Sequence, residues 1–114
     1  METKRQLQLG ELIKRNFSTV LQQEGRYIYG DVLVSVTKAI ISPDLSQVKI
    51  YLSIYGSEEK EEILQNIENQ TFQLKQALAH RIKSQIRRIP EIYLYIDDTL
   101  DEMYRVDGLL DKIK

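Results

Sequence analysis

Apolar residues recur at spacings of three and four through the first segment of the chain. From Arg5 to Gln23 they fall at Leu9, Leu12, Ile13, Phe17, Val20 and Leu21, the pattern of a helix with one face on a core. Gly25 is the expected terminator. The period then changes to two. Val32, Val34 and Val36 alternate with Leu33, Ser35 and Thr37, and Val48, Ile50, Leu52 and Ile54 alternate with Lys49, Tyr51, Ser53 and Tyr55. Between them "SPDLSQ" supplies Pro43 and Asp44, residues that suit a turn, so the two runs predict an antiparallel hairpin.

Helical spacing returns after Gly56. Ser57 is the expected N-cap, and Glu58, Glu59, Glu61 and Glu62 favour the positive end of a helix dipole. Ile63, Leu64 and Ile67 form the apolar stripe. Polar residues at Asn69, Gln70 and Thr71 interrupt it and predict a kink or break. A further helix is expected to run to about Arg88, with Leu74, Leu78, Ile82 and Ile86 in steps of four and Pro90 ending it. "IYLYID" alternates once more and predicts a third strand. An amphipathic helix from Thr99 to about Ile113 is expected to close the chain. The order α-β-β-α-α-β with a C-terminal helix predicts an α+β two-layer sandwich in one domain spanning residues 1–114.

Composition narrows the function. The 114 residues are 42% hydrophobic and 29% charged, an ordinary globular balance. The absence of Cys excludes disulfides, thiol chemistry and zinc sites built on thiolates. No apolar leader segment follows Met1 and no run reaches membrane-spanning length, so a cytoplasmic protein with no membrane partner is expected. No phosphate-binding glycine loop, dinucleotide fingerprint or nucleophile elbow is present, and nothing points to an enzyme or a cofactor.

Charge is polarised. Sixteen Lys and Arg nearly balance seventeen Asp and Glu, yet from Asn69 to Pro90 the chain has Lys75, Arg81, Lys83, Arg87 and Arg88 with no acid. On a helical wheel Leu74, Leu78, Ile82, Ile86 and Ile89 share one third of the circle. Gln76, His80, Lys83 and Arg87 lie opposite, Ser84, Arg88 and Arg81 continue round from them, and Lys75 sits on the apolar flank. A charged outer face is ordinarily just a solvated one, and cations suit a helix C-terminus. Solvated faces, however, interleave Glu with Lys, as 58–62 does, and 69–90 does not. The missing counter-charge favours a polyanion, whose phosphates such a surface would neutralise.

Other candidates carry less. Tyr51, Tyr55, Tyr93 and Tyr95 share the outer sheet face, where aromatics can stack on unpaired bases. Aromatics also suit strands for their own sake, and the C-terminal helix can cover them, which is the preferred account. His80 has no acid within a helical turn to orient it and belongs with the basic face. Asp97, Asp98 and Asp101 resemble Mg²⁺ ligands, but a loop and helix start prefer Asp anyway, so no metal site is assigned.

Two local motifs carry a family likeness. "VTKAIISPDLSQVKIYLSIYG" (36–56), with Ser42, Asp44 and Leu45 as an S-x-D-L turn, resembles the central hairpin of ribosome-binding factor A. "IRRIPEIYLYIDD" (86–98) is similar to that family's L-R-x-x-P-E-L-x-F-x-x-D segment, with Arg87, Pro90, Glu91 and Asp97 matching directly. The N-terminal helix with Arg15 and Leu21 is compatible, so the likeness covers nearly the whole chain.

The resemblance implies a KH-like fold of type II order in which a helix-kink-helix replaces the GxxG turn. No GxxG occurs here. The family's A-x-G kink has its nearest counterpart in Asn69, Gln70 and Thr71, without the glycine. It further implies an assembly factor that binds the 30S subunit, assists late maturation of 16S rRNA and its 5′-end processing, and serves cold adaptation. The rRNA surface would then be Lys75, His80, Arg81, Lys83, Arg87 and Arg88, extended by Lys4, Lys14 and Arg15 if the first helix lies alongside. The partners expected are the 30S subunit and 16S rRNA, bound by a monomer. Two other readings stand beside it: a general single-stranded RNA module of KH type, which the missing GxxG opposes, and a domain that dimerises through its sheet face.

Overall fold

The computed structural model describes residues 2–97. Helix α1 runs Lys4–Tyr29, strand β1 Leu33–Ile41, β2 Gln47–Tyr55, α2 Lys60–Asn69, α3 Thr71–Ile82 and β3 Glu91–Ile96. The expected C-terminal helix lies outside the described residues.

A capping box starts α1. The Gln6 N–H donates to the Thr3 hydroxyl at 3.2 Å, and Gln6 Oε1 accepts the Thr3 N–H at 2.8 Å. Gln6 is also buried, and its Nε2 donates to the Ile41 carbonyl at 2.9 Å. One side chain thus caps the helix and ties it to the end of β1.

Gly25 does not end α1, contrary to expectation. It lies inside the helix and is buried, with the Tyr29 ring packed where its Cβ would be. The Tyr29 hydroxyl donates to the Leu21 carbonyl at 3.0 Å, and burial raises its pKa. Gly25 is kept for space rather than termination. The helix stops one turn later at Gly30, whose φ of 72° suits glycine.

The hairpin forms as its alternation predicts. β1 and β2 pair antiparallel from Leu33↔Tyr55 to Ile41↔Val48. The register shifts between Val36 and Lys38, leaving Thr37 as a bulge. Its hydroxyl donates to the Asp97 carboxylate at 2.6 Å and lies 3.3 Å from the Tyr51 carbonyl. Strand β3 pairs parallel with β2, from Gln47↔Glu91 to Leu52↔Ile96, so β2 is central. Parallel neighbours need a crossover, and α2 with α3 supplies it.

One face of the sheet is dry. Val34, Val36, Ile41, Val48, Ile50, Leu52, Ile54, Ile92 and Leu94 meet Ile13, Phe17, Val20, Leu21, Ile63, Ile67, Leu74, Leu78 and Ile82 from the helices. Helix α1 approaches β1 so closely that a Cβ on Gly10 would sit 2.7 Å from the Ala39 carbonyl oxygen.

Three further details correct the sequence reading or give it a mechanism. Ser57 does not cap α2: its Oγ accepts the Glu59 N–H at 3.0 Å, and the helix begins one residue after Glu59. Helix α2 ends at Asn69 and α3 begins at Thr71, with Gln70 between them. In the hairpin turn Leu45 takes a φ of 63°, and Asp44 Oδ1 accepts the Ser42 and Ser46 hydroxyls, both at 2.7 Å, and the Ser46 N–H at 3.1 Å.

Two outcomes follow from these contacts. Alanine at position 10 gains about 1 kcal/mol of helix propensity but meets a backbone carbonyl, and overpacking costs about 1–3 kcal/mol. Gly10→Ala should therefore lower the urea midpoint, and an unchanged midpoint would mean that α1 can back away from β1. The donors on Asp44, the Ser46 hydroxyl first, hold its carboxyl down at about 2 against an ordinary 3.8. A depressed carboxylate favours the folded turn at neutral pH and loses that contribution as pH falls from about 4 to about 2. An NMR titration should place the Asp44 midpoint near 2, and Ser46→Ala should raise it; a wild-type midpoint near 3.8 would refute the network.

Candidate nucleic-acid interface

Burial of Leu74, Leu78 and Ile82 fixes how α3 is turned. At about 100° per residue, Phe72, Lys75, Gln76 and Ala79 then share one flank. His80 points away from the core and is exposed. Arg81 lies on the opposite flank, against α1, where its Nε donates to Asn16 Oδ1 at 3.2 Å. Asn16 in turn donates to the Leu12 carbonyl at 2.8 Å, so its oxygen is held facing Arg81.

The helix ends earlier than its apolar spacing suggests, and this changes the site. α3 stops at Ile82 rather than near Arg88, and residues 83–90 form turns, bends and irregular chain. The Gln85 and Ile86 N–H groups both donate to the Ile82 carbonyl, at 2.9 and 3.2 Å. Ile86 and Ile89 still pack on the core, which is why their spacing imitates a helix. The chain must leave the helix layer because β3 begins beside β2: the Glu91 N–H donates to the Ser46 carbonyl at 2.8 Å. Pro90 is buried at that crossing and biases Ile89 to an extended backbone.

Lys83, Arg87 and Arg88 are therefore exposed on a turn and loop, not on a helical stripe. Arg87, Arg88 and Ile89 come back beside α3 and, with Phe72, Lys75, Gln76 and Ala79, line an open groove of about 460 Å³. Lys75 is not a free cation, since its Nζ pairs with Glu91 Oε2 at 3.3 Å. Among the described residues, Arg87 and Arg88 make no hydrogen bond or ion pair.

The cations of α1 divide as well. Arg15 is exposed next to Asn16, and Lys4 is exposed at the helix start. Lys14 is half-buried and lies about 200° round the helix from Asn16. It therefore faces away from the Arg81 junction. The structure gathers Lys75, Arg87 and Arg88 around a groove, leaves Arg15 exposed on α1 about 100° round from Asn16, and leaves Lys14 apart.

Phe72 is singled out by neither the apolar stripe nor the charge pattern, although it is 72% exposed. Two residues from Leu74, it cannot share the buried stripe. An aromatic residue off the stripe of an acid-free helix is the signal that the sequence does offer. On the sheet's outer face Tyr51 and Tyr95 stack at 5.4 Å between centroids, and Lys38 Nζ lies 4.6 Å over Tyr51. Of the acids weighed for Mg²⁺, Asp97 accepts the Thr37 hydroxyl, and Asp98 and Asp101 lie outside the described residues. No helix of the described residues is long and apolar enough to cross a membrane.

The Lys75–Glu91 pair is a surface contact, 64% exposed at the Glu91 side chain. Such pairs contribute little. Glu91→Gln should change unfolding free energy in urea by less than about 1 kcal/mol, and a larger loss would show the pair to be structural.

Comparison with known proteins gives the family and the fold. The family model described as ribosome-binding factor A matches residues 5–110. Ribosome-binding factor A of Cytophaga hutchinsonii is 41% identical over 113 residues, covering 99% of this chain and 85% of that protein. The crystal structure of ribosome-binding factor A from Thermus thermophilus superposes with a TM-score of 0.67 at 23% identity, covering 80% of this chain and 94% of that one. A homology model of the Thermus thermophilus factor, as fitted into the cryo-EM map of its complex with 30S, gives 0.61 at 24% identity, covering 77% and 90%. The fold is thus the KH-like α+β sandwich of these structures, with a helix break at Gln70 where no GxxG exists. By sequence over nearly its whole length, the chain belongs to the ribosome-binding factor A family.

Proposed function

We propose that this protein binds the free 30S subunit and assists late maturation of 16S rRNA, including processing of its 5′ end, by binding rather than by catalysis. Family membership supports the reading, as does the relative fitted into a 30S complex. The observation that carries it is local. The acid-free segment 69–90 leaves His80, Arg81, Lys83, Arg87 and Arg88 exposed around α3, with Arg81 on its α1 flank, Arg87 and Arg88 on the other, and Arg15 exposed on α1 itself. Lys4 extends the surface along α1. Lys75 contributes less because Glu91 already neutralises it, and Lys14 stands outside the surface.

Such a surface works by neutralising phosphates and releasing their counterions. To assist maturation it must prefer one rRNA arrangement over another, since a ligand shifts an equilibrium only by its differential affinity for the two states. The cations come from two helices and a loop that are fixed relative to one another. Their target is accordingly a folded rRNA region with matching phosphates, not a short sequence tag. Cold adaptation fits the same mechanism, because misfolded rRNA arrangements persist longer when thermal energy is low.

Co-sedimentation with purified 30S subunits and 70S ribosomes across a salt series tests the proposal. Binding should be salt-sensitive and favour 30S over 70S. Lys83→Glu with Arg87→Glu should weaken it by about 10- to 100-fold and flatten the salt slope, as lost phosphate contacts require. Circular dichroism should be unchanged, because both residues are exposed. Equal pelleting of this charge-reversed variant would remove the site, and no pelleting of the wild type at low salt would remove the function.

A further inference from the structure

We propose that the groove between α3 and the 83–90 loop holds one unpaired nucleotide, its base stacked on Phe72 and its phosphates on Arg87 and Arg88. The inference deepens the function proposed above and rests on that reading of the chain as an RNA-binding factor. A single exposed apolar residue needs no explanation. Phe72 differs because of what surrounds it: it lines an open groove of about 460 Å³ whose other wall bears two exposed arginines. Neither arginine has a hydrogen bond or ion pair among the described residues.

The geometry suits a nucleotide's two chemistries. Ala79 lies two turns along α3 from Phe72 on the same flank, and its small side chain leaves the space beside the ring open. Ile89 adds an apolar surface from the loop. An aromatic face with an aliphatic lining accepts any base, and guanidinium groups lining the same groove can donate to its phosphates. Gln76, also in the lining, offers an amide donor and acceptor to a base edge.

A protein ligand is the weaker fit. The apolar lining is confined to Phe72, Ala79 and Ile89, and the surrounding charge has one sign apart from Glu91, which Lys75 holds. An acid-free wall selects a polyanion. Duplex RNA is excluded because its bases are already stacked, so the occupant is a looped-out or single-stranded nucleotide.

The chain has no Trp, so Phe72→Trp places a unique fluorophore in the groove. Wild type, Phe72→Ala and Phe72→Trp would be titrated with protein-free 16S rRNA, following filter binding for all three and fluorescence for the last. Pelleting of the same proteins with 30S subunits runs in parallel. Loss of one stacked base should cost Phe72→Ala about 5- to 150-fold in rRNA affinity. Phe72→Trp should keep the affinity, and its emission should be quenched at saturation.

Undiminished rRNA affinity of Phe72→Ala, or an unquenched tryptophan on saturated rRNA, would overturn the inference, as would a wild type that does not bind rRNA. If wild type and Phe72→Ala pellet equally with 30S, stacking fails and the subunit-binding proposal stands. If rRNA binding depends on Phe72 but nothing pellets with 30S, the subunit proposal fails and stacking stands. Weaker 30S pelleting of Phe72→Ala with unchanged rRNA affinity would assign the groove to a ribosomal protein, against the inference.

Discussion

The close seating of α1 on β1 is the constraint from which the rest of the molecule is laid out. It needs a residue without a side chain at Gly10, because the Ala39 carbonyl occupies the space a Cβ would take. It also needs Gln6, which satisfies the helix start and the Ile41 carbonyl with one amide. A buried amide left half-paired would cost about 1–3 kcal/mol. With both ends of its polarity met, Gln6 lets the helix enter the core with Phe17 and Ile13 completely covered.

That seating sets where α3 can lie. The apolar inner face of the sheet has room for α1 and the α2–α3 pair, and the Arg81–Asn16 hydrogen bond marks the seam between them. Asn16 belongs to the scaffold, yet it aims a cation. The other boundary of α3 is set by β3, whose parallel register puts Glu91 next to Gln47 and so within reach of Lys75. The basic segment is consequently stretched between two structural anchors, and only His80, Lys83, Arg87 and Arg88 are left without a protein partner among the described residues.

This explains how a nearly neutral chain can carry a strongly positive surface. Acids are absent from 69–90 but abundant in the turn before α2 and in its first turns, where Glu58, Glu59, Glu61 and Glu62 suit the helix dipole. The Glu-rich stretch 58–62 and the acid-free stretch 69–90 thus occupy different parts of the chain. The field at the groove depends on that local segregation, since the Debye length at physiological salt is about 8 Å and distant acids are screened.

Much of this was legible in the sequence because periodicity reports burial directly. The alternation of Val48, Ile50, Leu52 and Ile54 could only be a strand with one dry face, and the spacing of Ile13, Phe17 and Val20 only a helix. The break at Gln70 follows from a polar interruption, and the S-x-D-L turn from residues that bond their own backbone. What the sequence could not show are facts about partners distant along the chain. The spacing of Ile86 and Ile89 continues a helical stripe, but the chain leaves the helix at Ile82 because β3 must start beside Ser46. Gly25 looks like a terminator until Tyr29 is seen folded over it. The Thr37 bulge, the Lys75–Glu91 pair and the groove around Phe72 likewise exist only once separate elements are brought together. A sequence by itself determines which faces must be dry; which groups then meet across those faces is decided by packing, because contact energies arise between residues the chain has placed far apart.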